Sequence, residues 1–218
     1  MIDAIQRYHR RYVGQFRSEM RFPTFAPAIH EIVRDSGDPI RYTTLALAIE
    51  RLKSDGIEGD FAELGVWRGD TSCFLHFCAP DRILHLFDTF SGFPEGLTDD
   101  KPDRFNDTSL EVVKRRFGSA HNVQFHIGRF PETTVGLETN RFAFVMLDGD
   151  CYATTHAGLE YFYPLTPHGG FIFMHDFNSP ESNYGVSRAV YEFLRNKPEQ
   201  LVEIPDPWGS AVFRKIKH

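Results

Sequence analysis

The segment GDFAELGVWRGDTS, residues 59–72, joins a short apolar strand (61–66) to a helix-compatible run (71–77) through Gly65 and Gly69. A strand, a glycine turn and a helix in that order form a cradle in which backbone approaches a ligand closely. Spacing separates the candidate ligands. A dinucleotide fingerprint needs G-x-G-x-x-G, so that a pyrophosphate rests on the helix N-terminus. Here the pattern is E-x-G-x-W-x-G, with Trp67 where the middle glycine would stand and Glu63 just ahead of the turn. An acid there repels phosphate and suits a ligand with an ammonium group. S-adenosylmethionine has one and dinucleotides do not. Glu63, Gly65, Val66, Trp67 and Thr71 are the cofactor-binding candidates of this segment.

From residue 56 onward, strand-like and helix-like runs alternate. The strands fall at 60–66, 82–88, 122–127, 141–148 and 169–176, and the helices at 70–78, 108–117, 152–163 and 185–196, after an earlier helix at 43–55. Such alternation predicts a parallel sheet covered on both faces. RFAFVMLD and GGFIFMHD are continuous apolar runs that end in acid, as central strands do. The stretch QLVEIPDPWGSAVFRKI (200–216) reads as two strands about a Pro/Gly turn. The expected fold is therefore α/β and Rossmann-like: a mostly parallel seven-stranded sheet with a C-terminal antiparallel hairpin and helices on both faces. One domain (1–218) is expected, with a helical or irregular extension (1–40) and a catalytic core (41–218). Within the extension, Pro23, Pro27 and Pro39 suggest that 21–41 runs irregularly over the surface.

Ligands of such sheets sit at the carboxyl ends of the strands. Those ends carry Glu63, Asp88, Asp148 and the pair His175 and Asp176. So many acids on one edge repel one another unless cations or hydroxyls lie among them. Asp88 stands 23 positions beyond Gly65, the spacing at which an acid meets ribose hydroxyls; Thr89 follows it, and Phe90 and Phe93 are candidate walls. Gly128, Arg129 and Phe130 end the third strand, at the position where methyltransferases of this layout contact adenine; the alternative is an ordinary strand exit. Asp148, Asp150, His175, Asp176 and Asn178 come from two neighbouring strand ends. Oxygen ligands with room for water and substrate fit Mg²⁺ or a similar divalent ion, whereas zinc would call for more His or Cys. The alternative keeps the acids as helix caps and His175 as a core histidine. Asp148, Asp150 and His175 are the candidate bases, and Trp67 and Tyr152 the aromatics that could face a sulfonium.

A net charge of −6 argues against a nucleic-acid partner. The 21 phenylalanines point to a Phe-rich core or an aromatic-walled pocket. Cys73, Cys78 and Cys151 make no metal-type spacing and no even framework, so free thiols in a reducing cytoplasm are expected. No run approaches a membrane span. The N-terminal MIDAIQRYHRRYVGQF reads as an amphipathic helix packing on the domain or on a partner subunit, which leaves a homo-oligomer open.

The motifs RYTT (41–44), GDFAELGVWRGDTS, LFDTFSGFPEG (86–96), GRFPETT (128–134), VMLDGDCYATTHAGLEYFYPL (145–165), GGFIFMHDFNSP (169–180) and GVSRAV (185–190) resemble those of the macrocin O-methyltransferase family. The resemblance implies S-adenosylmethionine as donor, a divalent metal, and a small-molecule hydroxyl acceptor, often on a sugar. It also implies Asp148 as a metal ligand and one acid of the LDGD segment as base. The chain departs from the family where many members carry Asp-Asp and it carries His175 and Asp176; Asn178 is the candidate to supply the missing oxygen. Two other readings stay open on the residues alone: an NAD-linked or nucleotide-sugar enzyme, and a non-catalytic cofactor-binding relative.

Overall fold

The computed structural model describes residues 26–93 and 105–216. Its elements are helices α1 (Pro27–Asp35) and α2 (Pro39–Ser54), strand β1 (Asp60–Leu64), α3 (Asp70–Cys78), β2 (Leu84–Asp88), α4 (Leu110–Phe117), β3 (Val123–Ile127), β4 (Phe142–Leu147), α5 (Tyr152–Leu165), β5 (Phe171–Met174), α6 (Gly185–Leu194), β6 (Val202–Ile204) and β7 (Ser210–Arg214). The sheet order is β3-β2-β1-β4-β5-β7-β6. The first five strands pair in parallel, and β7 lies antiparallel between β5 and β6. This is the expected Rossmann-like sheet with its antiparallel hairpin. Strand order reverses between β1 and β4, and that switch point is where such sheets open a crevice for ligands.

Strand alternation creates two cores. Phe61, Phe144, Met146 and Phe173 point to one face, beneath α1, α2 and α3. Ala62, Leu64, Val145, Leu147 and Ile172 point to the other, beneath α5 and α6. All six residues of β4 are buried, so its apolar run faces helices on both sides. Most of the Phe excess is core, as in the fully buried Phe74, Phe87, Phe142, Phe144, Phe162, Phe173, Phe177 and Phe213.

One expectation fails. Residues 27–35 are helical rather than irregular, and the next helix begins at Pro39 rather than at 43. Both prolines lie at the start of a helix, where the missing N–H costs nothing and φ is already suitable. Asp38 caps α2 by accepting from the Arg41 amide at 3.1 Å. Ile29 and Val33 are buried in the same core as α2, so the packed body begins well before residue 41. The amphipathic segment 1–16 lies outside the described residues. The three cysteines are free, and no described helix is long and apolar enough to cross a membrane.

Candidate active site

Backbone bonds carry the sheet one residue past its strands. The Gly65 amide donates to the Phe87 carbonyl at 2.9 Å, that of Asp148 to Leu64 at 2.8 Å, and that of His175 to Leu147 at 2.9 Å. The strand-end side chains are thereby set side by side, and they surround one cavity of about 360 Å³. This is a size typical of small-molecule sites. Glu63, Gly65, Val66, Trp67 and Thr71 line it from the first strand and turn. Asp88 and Thr89 line it from β2, Gly128, Arg129 and Phe130 from β3, and Asp148 and Asp150 from β4. His175 and Asp176 line it from β5.

The turn is held by Asp88. One carboxylate oxygen accepts from the amides of Val66 (2.6 Å) and Trp67 (3.0 Å). The other accepts from the Phe90 amide at 2.7 Å. An ionised carboxylate has about four acceptor positions, and the nearby Thr89 hydroxyl lies closer to the Gly92 carbonyl than to Asp88, so a ligand hydroxyl can still join these three donors. Trp67 and Gly69 take left-handed φ values of 47° and 79°, and Gly65 a φ of 89° against the Asp148 carbonyl. Glu63 is 1 % exposed and accepts the Ser72 hydroxyl. Burial lifts its carboxyl well above the usual range, the Ser72 bond opposes this, and nearby Asp148 adds to it. A cation placed beside Glu63 would restore its charge.

At β4 and β5, ligand atoms of Asp148, His175 and Asp176 all lie within 4.8 Å of one another. His175 Nδ1 is 2.8 Å from Asp148 Oδ1 and 3.0 Å from Asp176 Oδ2. An octahedral ion with bonds near 2.0–2.1 Å has neighbouring ligands roughly 3 Å apart, the spacing at which Asp148 and Asp176 each stand from His175 Nδ1. His175 is buried and its Nε2 has no hydrogen-bond partner. Burial lowers the imidazole pKa, but the charge of Asp148 and the bonds to Asp148 and Asp176 push it up to about 10. The two carboxylates thus favour the imidazolium form, and a divalent ion bound here would require it to give up that proton. Arg41 adds a second cation: its guanidinium reaches Asp148 at 3.9 Å and Asp38 at 3.3 Å. Asp150 and Asp176 both hold φ near 54°, a left-handed conformation rare outside glycine and often kept at functional sites.

Three candidates are not brought in. Asn178 turns away and donates to Glu203 at 3.1 Å, so it does not join Asp148, His175 and Asp176. Tyr152 donates to Glu192 at 2.7 Å and stacks on His156, away from the cavity. Phe90 is 4 % exposed and packs on Phe125 in the core, whereas Phe93 does line the cavity. Residues 94–104, which include the end of the motif LFDTFSGFPEG, lie outside the described residues. Sequence reasoning missed Arg41, Phe105, Thr154 and Trp208, all of which line the cavity. The arginine of RYTT was the one legible signal among them.

The family model described as "Macrocin-O-methyltransferase (TylF)" matches residues 37–214. Mycinamicin III 3''-O-methyltransferase of Micromonospora griseorubida is 27% identical, the match covering 93% of this chain and 92% of that protein. A tetracenomycin-C 4'-O-methyltransferase of Streptomyces olivaceus, named for a dimethoxy-rhamnosyl substrate, is 31% identical over 70% of this chain and 69% of its own. Among solved structures, the O-methyltransferase NovP superposes with a TM-score of 0.70 at 22% identity, covering 82% of this chain and 81% of that one. At that identity the likeness is one of fold.

Proposed function

The chain belongs to the macrocin O-methyltransferase family, and from that premise we propose that its cavity brings S-adenosylmethionine, a divalent cation and a sugar hydroxyl together at the strand ends. As a member it is an S-adenosylmethionine-dependent O-methyltransferase of small molecules, so the NAD-linked and non-catalytic readings fall away. The observation that carries the site assignment is the convergence of Glu63, Asp88, Asp148, His175 and Asp176 on one cavity. Free thiols at all three cysteines suit a reducing cytoplasm.

S-adenosylmethionine supplies an electrophilic methyl on a sulfonium. A divalent cation, Mg²⁺ or another, supplies Lewis acidity and positions for two neighbouring acceptor oxygens. Glu63 would face the ammonium, and Asp88 would accept from the ribose while holding the turn. Gly128, Arg129 and Phe130 would meet adenine, and Trp67, which lines the cavity, would be the aromatic offered to the sulfonium. Asp148, His175 and Asp176 hold the cation. A histidine that ligates cannot also be the base, and Asp148 is a ligand too and is paired with Arg41. Asp150 is left as the group that takes the acceptor's proton. Most of the rate comes from holding the three reacting atoms in line.

Asp88→Ala removes a ligand contact and three amide bonds together. It should weaken S-adenosylmethionine binding by about 1–3 kcal/mol, and calorimetry showing unchanged affinity would remove Asp88 from the cofactor site. The acceptor reading is tested with labelled S-adenosylmethionine on a pair of sugars that differ only in the hydroxyl beside the methylated one. The diol is expected to react at least about tenfold faster, a difference of about 1.4 kcal/mol. Equal rates would overturn chelation.

A further inference from the structure

Antiparallel pairing of β7 with β5 sets Ala211 opposite Met174, so the turn between β6 and β7 stands at the same sheet end as His175 and Asp176. That turn is Pro205, Asp206, Pro207, Trp208 and Gly209. Gly209 takes a φ of 70°, and a Cβ there would sit 2.8 Å from Cβ of Asn178. Its carbonyl accepts from the Asn178 amide at 3.3 Å. The turn is therefore fixed against the segment that follows β5. Between the two lies a second cavity, of about 490 Å³. Trp208, half exposed, lines both this cavity and the main one, so the two are neighbours across one indole.

The chemistry of the second cavity is specific. Asp206 is 8 % exposed; one oxygen accepts from the Ser210 amide at 2.8 Å, and the other is buried without a partner. That buried oxygen lies in the field of Arg41, so what Asp206 offers the cavity is a fixed negative charge on its wall. Glu203 is held in place by Asn178 and Tyr191, each donating at 3.1 Å. Fixed carboxylates reject anions and accept hydroxyls, while an indole offers a flat apolar face beside them. Hydroxyl-rich rings with one apolar face match that pairing.

We propose that this second cavity is a subsite for the next ring of a glycosylated acceptor, the methylated ring lying in the main cavity and its neighbour crossing Trp208. The inference rests on the sugar-acceptor reading above. The test compares a methyl glycoside that the enzyme methylates with a disaccharide carrying the same reacting ring, using labelled S-adenosylmethionine. The wild-type enzyme is expected to favour the disaccharide in kcat/KM. Trp208→Ala should reduce that preference at least tenfold, mainly through KM, and Trp208→Phe should restore part of it. Glu203→Ala, outside the main cavity, should shift the same ratio in the same direction. An unchanged ratio in both alanine variants would overturn the subsite while leaving the sugar-acceptor reading intact. Failure of the wild-type enzyme to methylate any sugar would overturn that reading, and the subsite with it.

Discussion

Asp148→Asn is expected to lower kcat by about 10²–10³-fold, the scale seen when a preorganised charge is removed from an active site. The asparagine keeps the shape of the side chain, so its amide oxygen can still meet His175 Nδ1, which lies 2.8 Å from Asp148 in the native protein. Arg41 keeps its contact with Asp38. What disappears is the charge that links Arg41, His175 and the cation-binding group. Divalent-ion binding should fall with it, read without turnover by Mn²⁺ titration under electron paramagnetic resonance. A kcat within tenfold of wild type would take Asp148 out of the chemistry, and unchanged Mn²⁺ binding would take it out of the metal site.

Gly65→Ala should be the most damaging alanine substitution among the described glycines. A Cβ there would lie 2.0 Å from the carbonyl oxygen of Asp148, at a φ of 89°. Both strand ends are tied into the sheet, so neither can retreat without breaking a ladder bond. A cost of about 3–5 kcal/mol is expected, together with loss of S-adenosylmethionine binding. Gly56 provides the control, since it has a φ of 63° with nothing within 4 Å of its added Cβ. Gly56→Ala carries only the conformational penalty, about 1 kcal/mol. Urea unfolding of the two variants separates φ strain from collision, and equal losses would mean that the close approach of β1 and β4 is not what requires glycine.

Much of the fold was legible because its strands announce themselves. β4 and β5 are unbroken apolar runs that stop at an acid, and the acid marks the functional end of the strand. The chain also turns sharply where Gly65 and Gly69 stand, which placed the cradle. Reading fails where a side chain's partner is distant in sequence. Arg41 sits in α2, yet its role is set by Asp148, more than a hundred residues away. Trp208 belongs to a hairpin turn, and only the pairing of β7 with β5 brings it to the cavity. Asn178 has the right neighbours in sequence but spends its amide on Glu203. Prolines misled in the other direction: Pro27 and Pro39 open helices rather than break them.

The carboxylate of Asp88 holds three amides of the cradle, those of Val66, Trp67 and Phe90, by bonds made within the chain itself. Fixing a backbone residue removes conformational entropy worth about 1–2 kcal/mol at room temperature, and here that loss belongs to folding rather than to binding. A ligand entering this turn gives up its own freedom but does not have to freeze the loop around it. Affinity is therefore governed by contacts made with a surface already in place. The adenosyl donor should accordingly associate without a slow ordering step at this end of the cavity.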